Sequence, residues 1–216
     1  MTPDVPAVVE RAARLAAHDH QGVVAYRLHR TSDLHAGPYH RSDDVELAVA
    51  FDADRLVKIR VLRDRTNGKD AGAAAKADLE RTLAQSTPAE GFAVPFDLRH
   101  LTEYRYIGGS EGEVGFTSLR RDDRHGDGTF SVNASGAVVR LTYTPNVLPR
   151  YATSANISDD RAQVLPDFWA TVREEQRYDG RYGPFHGSGT VVSVEDDFER
   201  FADAGAAIAA VEAGRI

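Results

Sequence analysis

The feature that most constrains this chain is the period of its apolar residues. From Gly22 to about residue 195 they recur mostly at every second position, and the segments between carry short turn signals. Successive side chains of a strand point to opposite faces, so a period of two marks a strand with one dry and one wet face. Val24, Tyr26 and Leu28 alternate with Ala25, Arg27 and His29. Val45, Leu47, Val49 and Phe51 alternate with Glu46, Ala48 and Ala50, and Val57, Ile59 and Val61 follow across the Asp52-Ala53-Asp54 turn. The pair 45–63 is therefore a hairpin, and residues 31–43, polar and holding Gly37-Pro38, read as a loop. Further strands are expected over 103–107, 113–120, 128–132, 137–144, 151–157 and 190–195, with one more within 163–177. Phe130 and Val132 face Val139, Leu141 and Tyr143 across the Asn133–Gly136 turn.

Three segments change to a helical period. Val5, Val8, Val9, Ala12, Leu15 and Ala16 share one face of a helix over 4–18, with Thr2 or Asp4 as its cap. Residues 70–85 are alanine-rich, with Leu79 and Leu83 four apart, and 203–213 closes the chain. Nine or ten strands joined by hairpin-length connections make an antiparallel meander rather than βαβ units. So long a sheet must curl. The fold class expected is α+β: one large curved antiparallel sheet, an unclosed barrel, with N-terminal, middle and C-terminal helices on its concave face. At 216 residues it is expected to be a single domain over 1–216.

Composition narrows the function classes. With 42% hydrophobic residues and interspersed charges the chain is not disordered. A net charge of -7 argues against nucleic acid, whose binding needs a basic face. No cysteine is present, which excludes disulfides and thiolate chemistry. No apolar run approaches a membrane span, and Met1-Thr2-Pro3-Asp4 leads straight into the helical pattern, so no signal peptide is expected in these residues.

Catalytic signatures are sparse. Gly108-Gly109-Ser110-Glu111-Gly112 matches G-x-S-x-G, but the nucleophile elbow needs a strand-to-helix turn and both flanks here are β-like. A hairpin loop is expected. Asp122–Gly128 lacks the alternating carboxylates of a calcium loop, and Gly68-Lys69 lacks the rest of a P-loop. His18 and His20 cannot share a helix face, and His35 and His40 fall in the polar loop, so no metal or other cofactor is expected. An enzyme, if this is one, would draw on His29, His100, His125 or His186 with Asp127 or Glu103, gathered in one pocket. Tyr26, Phe51, Phe116, Phe130, Tyr143 and Tyr151 fall on separate strands, with Phe168 and Trp169 beside them. They make either a filled aromatic core or the lining of a cleft for an apolar ligand. In the second case Tyr26, Leu28, Leu47, Phe51, Phe116 and Tyr143 are the candidate ligand-binding residues.

The order of elements resembles the bacterial lipoprotein-carrier superfamily, the periplasmic lipoprotein carrier and its cell-envelope lipid-carrying relatives. The resemblance lies in the helix 4–18 leading into Val23–Arg30, in the pair 45–63, and in Gly128–Val132 running through to Leu141-Thr142-Tyr143-Thr144-Pro145. It departs where the family brings a Lys/Arg-Pro pair after an aromatic; Phe51-Asp52 stands there instead. The resemblance implies an unclosed barrel with a helical lid over a hydrophobic cavity and a non-enzymatic carrier. It implies a periplasmic or cell-envelope location. The partners it implies are a hydrophobic small molecule or lipidated protein, with transient contact to a membrane or membrane-anchored protein. A ligand-free interaction module is the remaining alternative.

Overall fold

The computed structural model describes residues 5–17, 22–53, 55–85, 92–108, 112–148 and 150–216, the side chain of Tyr182 excepted. Three α-helices are present among these residues: α1 (Ala7–Ala16), α2 (Ala73–Gln85) and α3 (Ala204–Ala213). The strands are β1 (Val23–Ala36), β2 (Tyr39–Asp52), β3 (Arg55–Thr66), β4 (Lys69–Asp70), β5 (Tyr104–Gly108) and β6 (Glu113–Ser118). They continue with β7 (Gly126–Val132), β8 (Val138–Pro145), β9 (Ala152–Leu165), β10 (Phe168–Tyr182) and β11 (Phe185–Phe201). All eleven form one antiparallel sheet in the order β4-β3-β2-β1-β11-β10-β9-β8-β7-β6-β5. The first and last long strands meet at its centre, and β4 and β5 leave it unclosed. The α+β class, the large antiparallel sheet and the three helices are as the sequence predicts.

The central strands run far beyond what alternation suggests. Residues 31–43 are not a loop: β1 and β2 pair from Val23↔Asp52 out to Ala36↔Tyr39. Only Gly37 and Pro38 turn, with Gly37 at φ 59° supplying the positive φ of a two-residue hairpin connection. Gly183-Pro184 closes the neighbouring β10–β11 hairpin in the same way, with Gly183 also at φ 59°. Alternation is weak there because neither face is packed in a core: from Tyr26 onward every residue of β1 is half-buried or exposed. The length shows in the surface: 12285 Å² is exposed, against roughly 9,800 Å² for a compact chain of this mass.

Curvature comes from irregular registers. Bulges fall at Ala25/Arg27, Ala50/Phe51, Thr171/Arg173 and Asp179/Gly180, each bending its strand and adding twist. Cα atoms of β9 and β11 consequently approach within 8 Å across β10, where a flat sheet would hold them about 9.6 Å apart.

Register also assigns the helices to faces. The residues opposite one another in an antiparallel pair point the same way. Leu28↔Glu195, Ser193↔Glu174, Glu174↔Asp159, Asp159↔Leu141, Leu141↔Phe130 and Phe130↔Val114 thus share one face, called here the inner face. On it α1 seals one end. Val9 and Ala12 pack with Phe96, Tyr104, Val114, Phe116, Phe130, Leu141, Tyr143 and Ile157. The other end lies under α2, where Leu79 and Leu83 meet Tyr26, Leu28, Leu47, Val49, Phe51 and Val61. Polar side chains of α2 also cover the edge of β3: Val61 N donates to Glu80 Oε1 at 2.7 Å and Lys76 Nζ to the Leu62 carbonyl at 3.2 Å. The register refines the placement of the third helix. α3 lies behind the sheet, against Val23, Ala25, Ala48 and Ala50, the small side chains that β1 and β2 present on the outer face. It is capped by Asp203, whose carboxylate accepts from Ala206 N at 2.8 Å.

Candidate functional site

Between the regions covered by α1 and α2 no helix among the described residues seals the inner face of β1, β11 and β10, and that face changes character along its length. At the hairpin tips is an apolar cleft of about 690 Å³, lined by Leu34, Ala36, Pro38, Tyr39, Arg150, Tyr151, Ala152, Tyr178, Phe185 and the glycines 180, 187 and 189. Its floor is hollow because the three glycines project nothing into it. A Cβ at Gly187 would lie 2.7 Å from the His35 carbonyl oxygen, and one at Gly189 2.5 Å from Leu34 Cδ2. Phe185 lies over Gly37, where any side chain would overlap its ring. Of the nine large hydrophobic residues that are exposed among the described residues, four line this cleft: Leu34, Tyr39, Tyr151 and Phe185. Exposed apolar surface gathered in one concavity is what distinguishes a binding surface from scattered surface residues.

Deeper along the same face the lining turns acidic. Gln176 Nε2 donates to Glu174 Oε1 at 2.6 Å, and the Tyr178 hydroxyl donates to Gln176 Oε1 at 2.6 Å, so the two link the apolar cleft to Glu174. Asp159 and Glu195 sit near Glu174. Burial pushes the Glu195 carboxyl up to about 8, with the charges of Glu174 and Asp159 adding to it. Burial likewise pushes Asp159 up to about 7, Glu174 reinforcing and Arg161 opposing. Asp159 Oδ1 is buried without a hydrogen-bond partner. A second cleft of about 410 Å³ lies beside it, bounded by Ala16 and Ala17, Val94 and the segment 96–99, Leu141, Asp159, Arg161 and Thr171. Arg161 stacks on Phe96 at 5.4 Å from its centroid.

The six residues taken from the sequence as ligand contacts divide between the two sealed ends. Tyr26, Leu28, Leu47 and Phe51 pack in the cluster under α2, and Phe116 and Tyr143 in the cluster under α1. None of the six lines the 690 or the 410 Å³ cleft. Sequence reasoning passed over Leu34, Tyr39 and Phe185. One signal for them exists: Gly-Pro-aromatic-His occurs twice, at Gly37-Pro38-Tyr39-His40 and at Gly183-Pro184-Phe185-His186. It marks two adjacent hairpin tips, each carrying an aromatic ring.

The histidine and carboxylate candidates separate similarly. His100, His125 and Glu103 do converge, on the segment before β5 and on the loop before β7. Glu103 Oε2 lies 2.9 Å from both His100 Nδ1 and His125 Nε2, Arg120 Nη2 lies 2.8 Å from Oε1, and His125 Nδ1 lies 2.5 Å from Asp122 Oδ1. Burial works to raise the Glu103 carboxyl, but the hydrogen bonds from His125 and His100 and the charge of Arg120 outweigh it and hold it below the usual range. Every polar atom of the Glu103 and His125 side chains is thus engaged within the network, and neither cleft is lined by it. It ties the segment 97–103 to the β6–β7 connection. His29 lies elsewhere, in an outer-face chain with Asp44 at 2.8 Å and Arg63 at 3.0 Å, and Asp127 accepts from Ser118 N. His18, His20 and Ser110 of the G-x-S-x-G match fall outside the described residues. The strands on either side of that match pair antiparallel, Gly108↔Val114, as a hairpin does.

His35 and His40 are not on a loop. They face each other directly across the β1–β2 hairpin, with ring centroids 4.3 Å apart. Both rings reach Asp33 Oδ1, at 3.1 Å for His35 Nε2 and 2.7 Å for His40 Nε2.

No protein-family model matches the chain, and no curated protein matches it in sequence. Solved structures match it at low identity and low TM-score. One is lipovitellin, in a structure concerned with lipid–protein interactions, at 8% identity and a TM-score of 0.44, the match covering 85% of this chain and 26% of that one. The chain therefore corresponds to about a quarter of lipovitellin's length. Another is a Vibrio parahaemolyticus domain described as an outer membrane lipoprotein-sorting protein domain, at 12% identity and a TM-score of 0.42, over 90% of this chain and 92% of that one. A DUF1329 family protein from Desulfovibrio piger matches at 14% identity and a TM-score of 0.33, over 93% and 95% of the two chains.

Proposed function

We propose that the protein is a non-enzymatic carrier that holds an acyl chain or a comparable apolar group in the cleft at its hairpin tips. The observation that carries this reading is the cleft itself: about 690 Å³, floored by glycine and walled by Leu34, Tyr39, Tyr151 and Phe185. That volume lies within the roughly 300–1,000 Å³ of small-molecule sites. Each methylene buried there contributes about 0.8 kcal/mol, so a short stretch of acyl chain suffices for retention. The Glu103–His125 network takes no part in that cleft, its side-chain polar atoms being engaged with one another and with Arg120 and Asp122. The compartment that fits this reading and the sequence resemblance is the bacterial cell envelope, where a carrier exchanges its ligand with a membrane or a membrane-anchored partner. Among the described residues no helix is long and apolar enough to cross a membrane.

The test is native mass spectrometry of the full chain, as purified and after incubation with a fatty acid, followed by organic extraction. A discrete lipid adduct is expected. In Leu34→Asp, which sets a charge at the cleft wall, retention should fall at least tenfold, since burying a leucine is worth about 1.5–3 kcal/mol and 1.4 kcal/mol is a factor of ten. A bare mass that takes up no added fatty acid, or equal uptake by the folded variant, overturns the reading.

A further inference from the structure

We propose that the outer side of the β1–β2 tip binds one divalent transition cation of the zinc type, through His35 Nε2, His40 Nε2 and Asp33 Oδ1. The hairpin builds this arrangement from its register. His35 and His40 are direct cross-strand partners, so their side chains leave the sheet side by side on one face. Asp33 is two residues before His35 on the same strand and therefore on that same face. The two-residue turn at Gly37-Pro38 holds the two strands at the tip in this register.

The resulting donor atoms all lie within 4.8 Å of one another. Tetrahedral coordination at about 2.0–2.2 Å sets ligand atoms roughly 3.3 Å apart. The observed Nε2–Oδ1 separations of 2.7 and 3.1 Å are within a few tenths of that spacing, a shift that rotation about the exposed side chains supplies. The rings are stacked 17° from parallel, and both Nε2 atoms address the one carboxylate oxygen. Two imidazoles and one carboxylate suit zinc and its neighbours in the series, and not calcium, which takes oxygen ligands. The three side chains are half exposed or more, at 57%, 57% and 52%, which leaves the fourth position to water or to a donor from a partner. The site sits beside the apolar cleft, whose lining includes His35.

The experiment is a competition titration of the tag-free, chelator-stripped full chain with zinc chloride against a chromophoric zinc chelator, repeated with calcium chloride. One equivalent of zinc is expected to bind and calcium is not. His40→Ala and Asp33→Ala are each expected to weaken zinc binding at least tenfold, both positions being on an exposed tip away from the packed clusters. On the unsubstituted protein, zinc should shift the imidazole nitrogen resonances of His35 and His40 and leave those of His100 and His125 in place. The proposal is overturned if no zinc binds, if the variants bind it as well as the parent chain, or if the shifted resonances belong to other histidines.

Discussion

Denaturant unfolding is expected to give a higher stability at pH 5 than at pH 9, by several kcal/mol, because two carboxyl groups on the inner face are protonated in the folded chain and ionised in the unfolded one. Burial holds Asp159 at about 7 and Glu195 at about 8, against ordinary values of 3.8 and 4.5, and the charge of Glu174 works in the same direction at both. Between the unfolded and folded values the native state binds more protons than the unfolded state, so stability falls as pH rises. The loss begins above about pH 4, runs until pH passes the folded values, and then levels off. Each factor of ten in proton affinity is worth about 1.4 kcal/mol, which makes the pair a large term even after discounting for partial exposure. The depressed carboxyls act oppositely and outside this window. Glu103, whose hydrogen bonds from His125 and His100 outweigh its burial, contributes stability that is lost as pH falls below the usual carboxylate range. The double variant Asp159→Asn, Glu195→Gln should flatten the profile and exceed the parent in stability at pH 8. A parent profile that is flat or rises from pH 5 to pH 9 would contradict this account.

The second large effect is structural. Phe130→Ala is expected to cost about 3–5 kcal/mol, read as a lowered urea midpoint with an unchanged slope. Phe130 is only 1% exposed, lies edge-on to Phe96 at 5.4 Å and contacts Phe116 at 6.3 Å. It stands at the middle of the cluster that α1 seals, so its removal leaves a cavity that rigid strands on either side cannot close. A domain is stable by only about 5–15 kcal/mol, and the variant would lose a large part of that. Tyr39→Ala is the informative contrast. That ring is 55% exposed at the cleft, so its loss should leave stability within about 0.5 kcal/mol while lowering lipid retention. The pair of variants separates the aromatic residues that hold the sheet to its helices from those that line the cleft.

That separation is also where the sequence stopped being legible. Period-two alternation reports a face that is dry in the folded chain, and it therefore located the apolar cores of β2, β3, β7 and β8 within a residue or two. It could not report β1 beyond Arg30 or the outer part of β10 and β11, where both faces meet water or a cleft and no apolar pattern is required. The same alternation singles out Tyr26, Leu28, Leu47, Phe51, Phe116 and Tyr143, which pack in the apolar clusters under α1 and α2.

By itself, then, the sequence determined the α+β class, the antiparallel meander, the three helices and the bounds of the shorter strands β5 to β8, because these rest on local periodicity and turn chemistry. Only the tertiary structure decided that β1 pairs with β11 at the centre of the sheet, since a pairing between residues so far apart in the chain leaves no local signature. From that pairing follows the glycine-floored cleft between two Gly-Pro tips, while the acidic belt of Asp159, Glu174 and Glu195 follows from the registers of β9 with β10 and of β10 with β11. Each is a property of register across neighbouring strands, and register is set by the packing of the whole sheet.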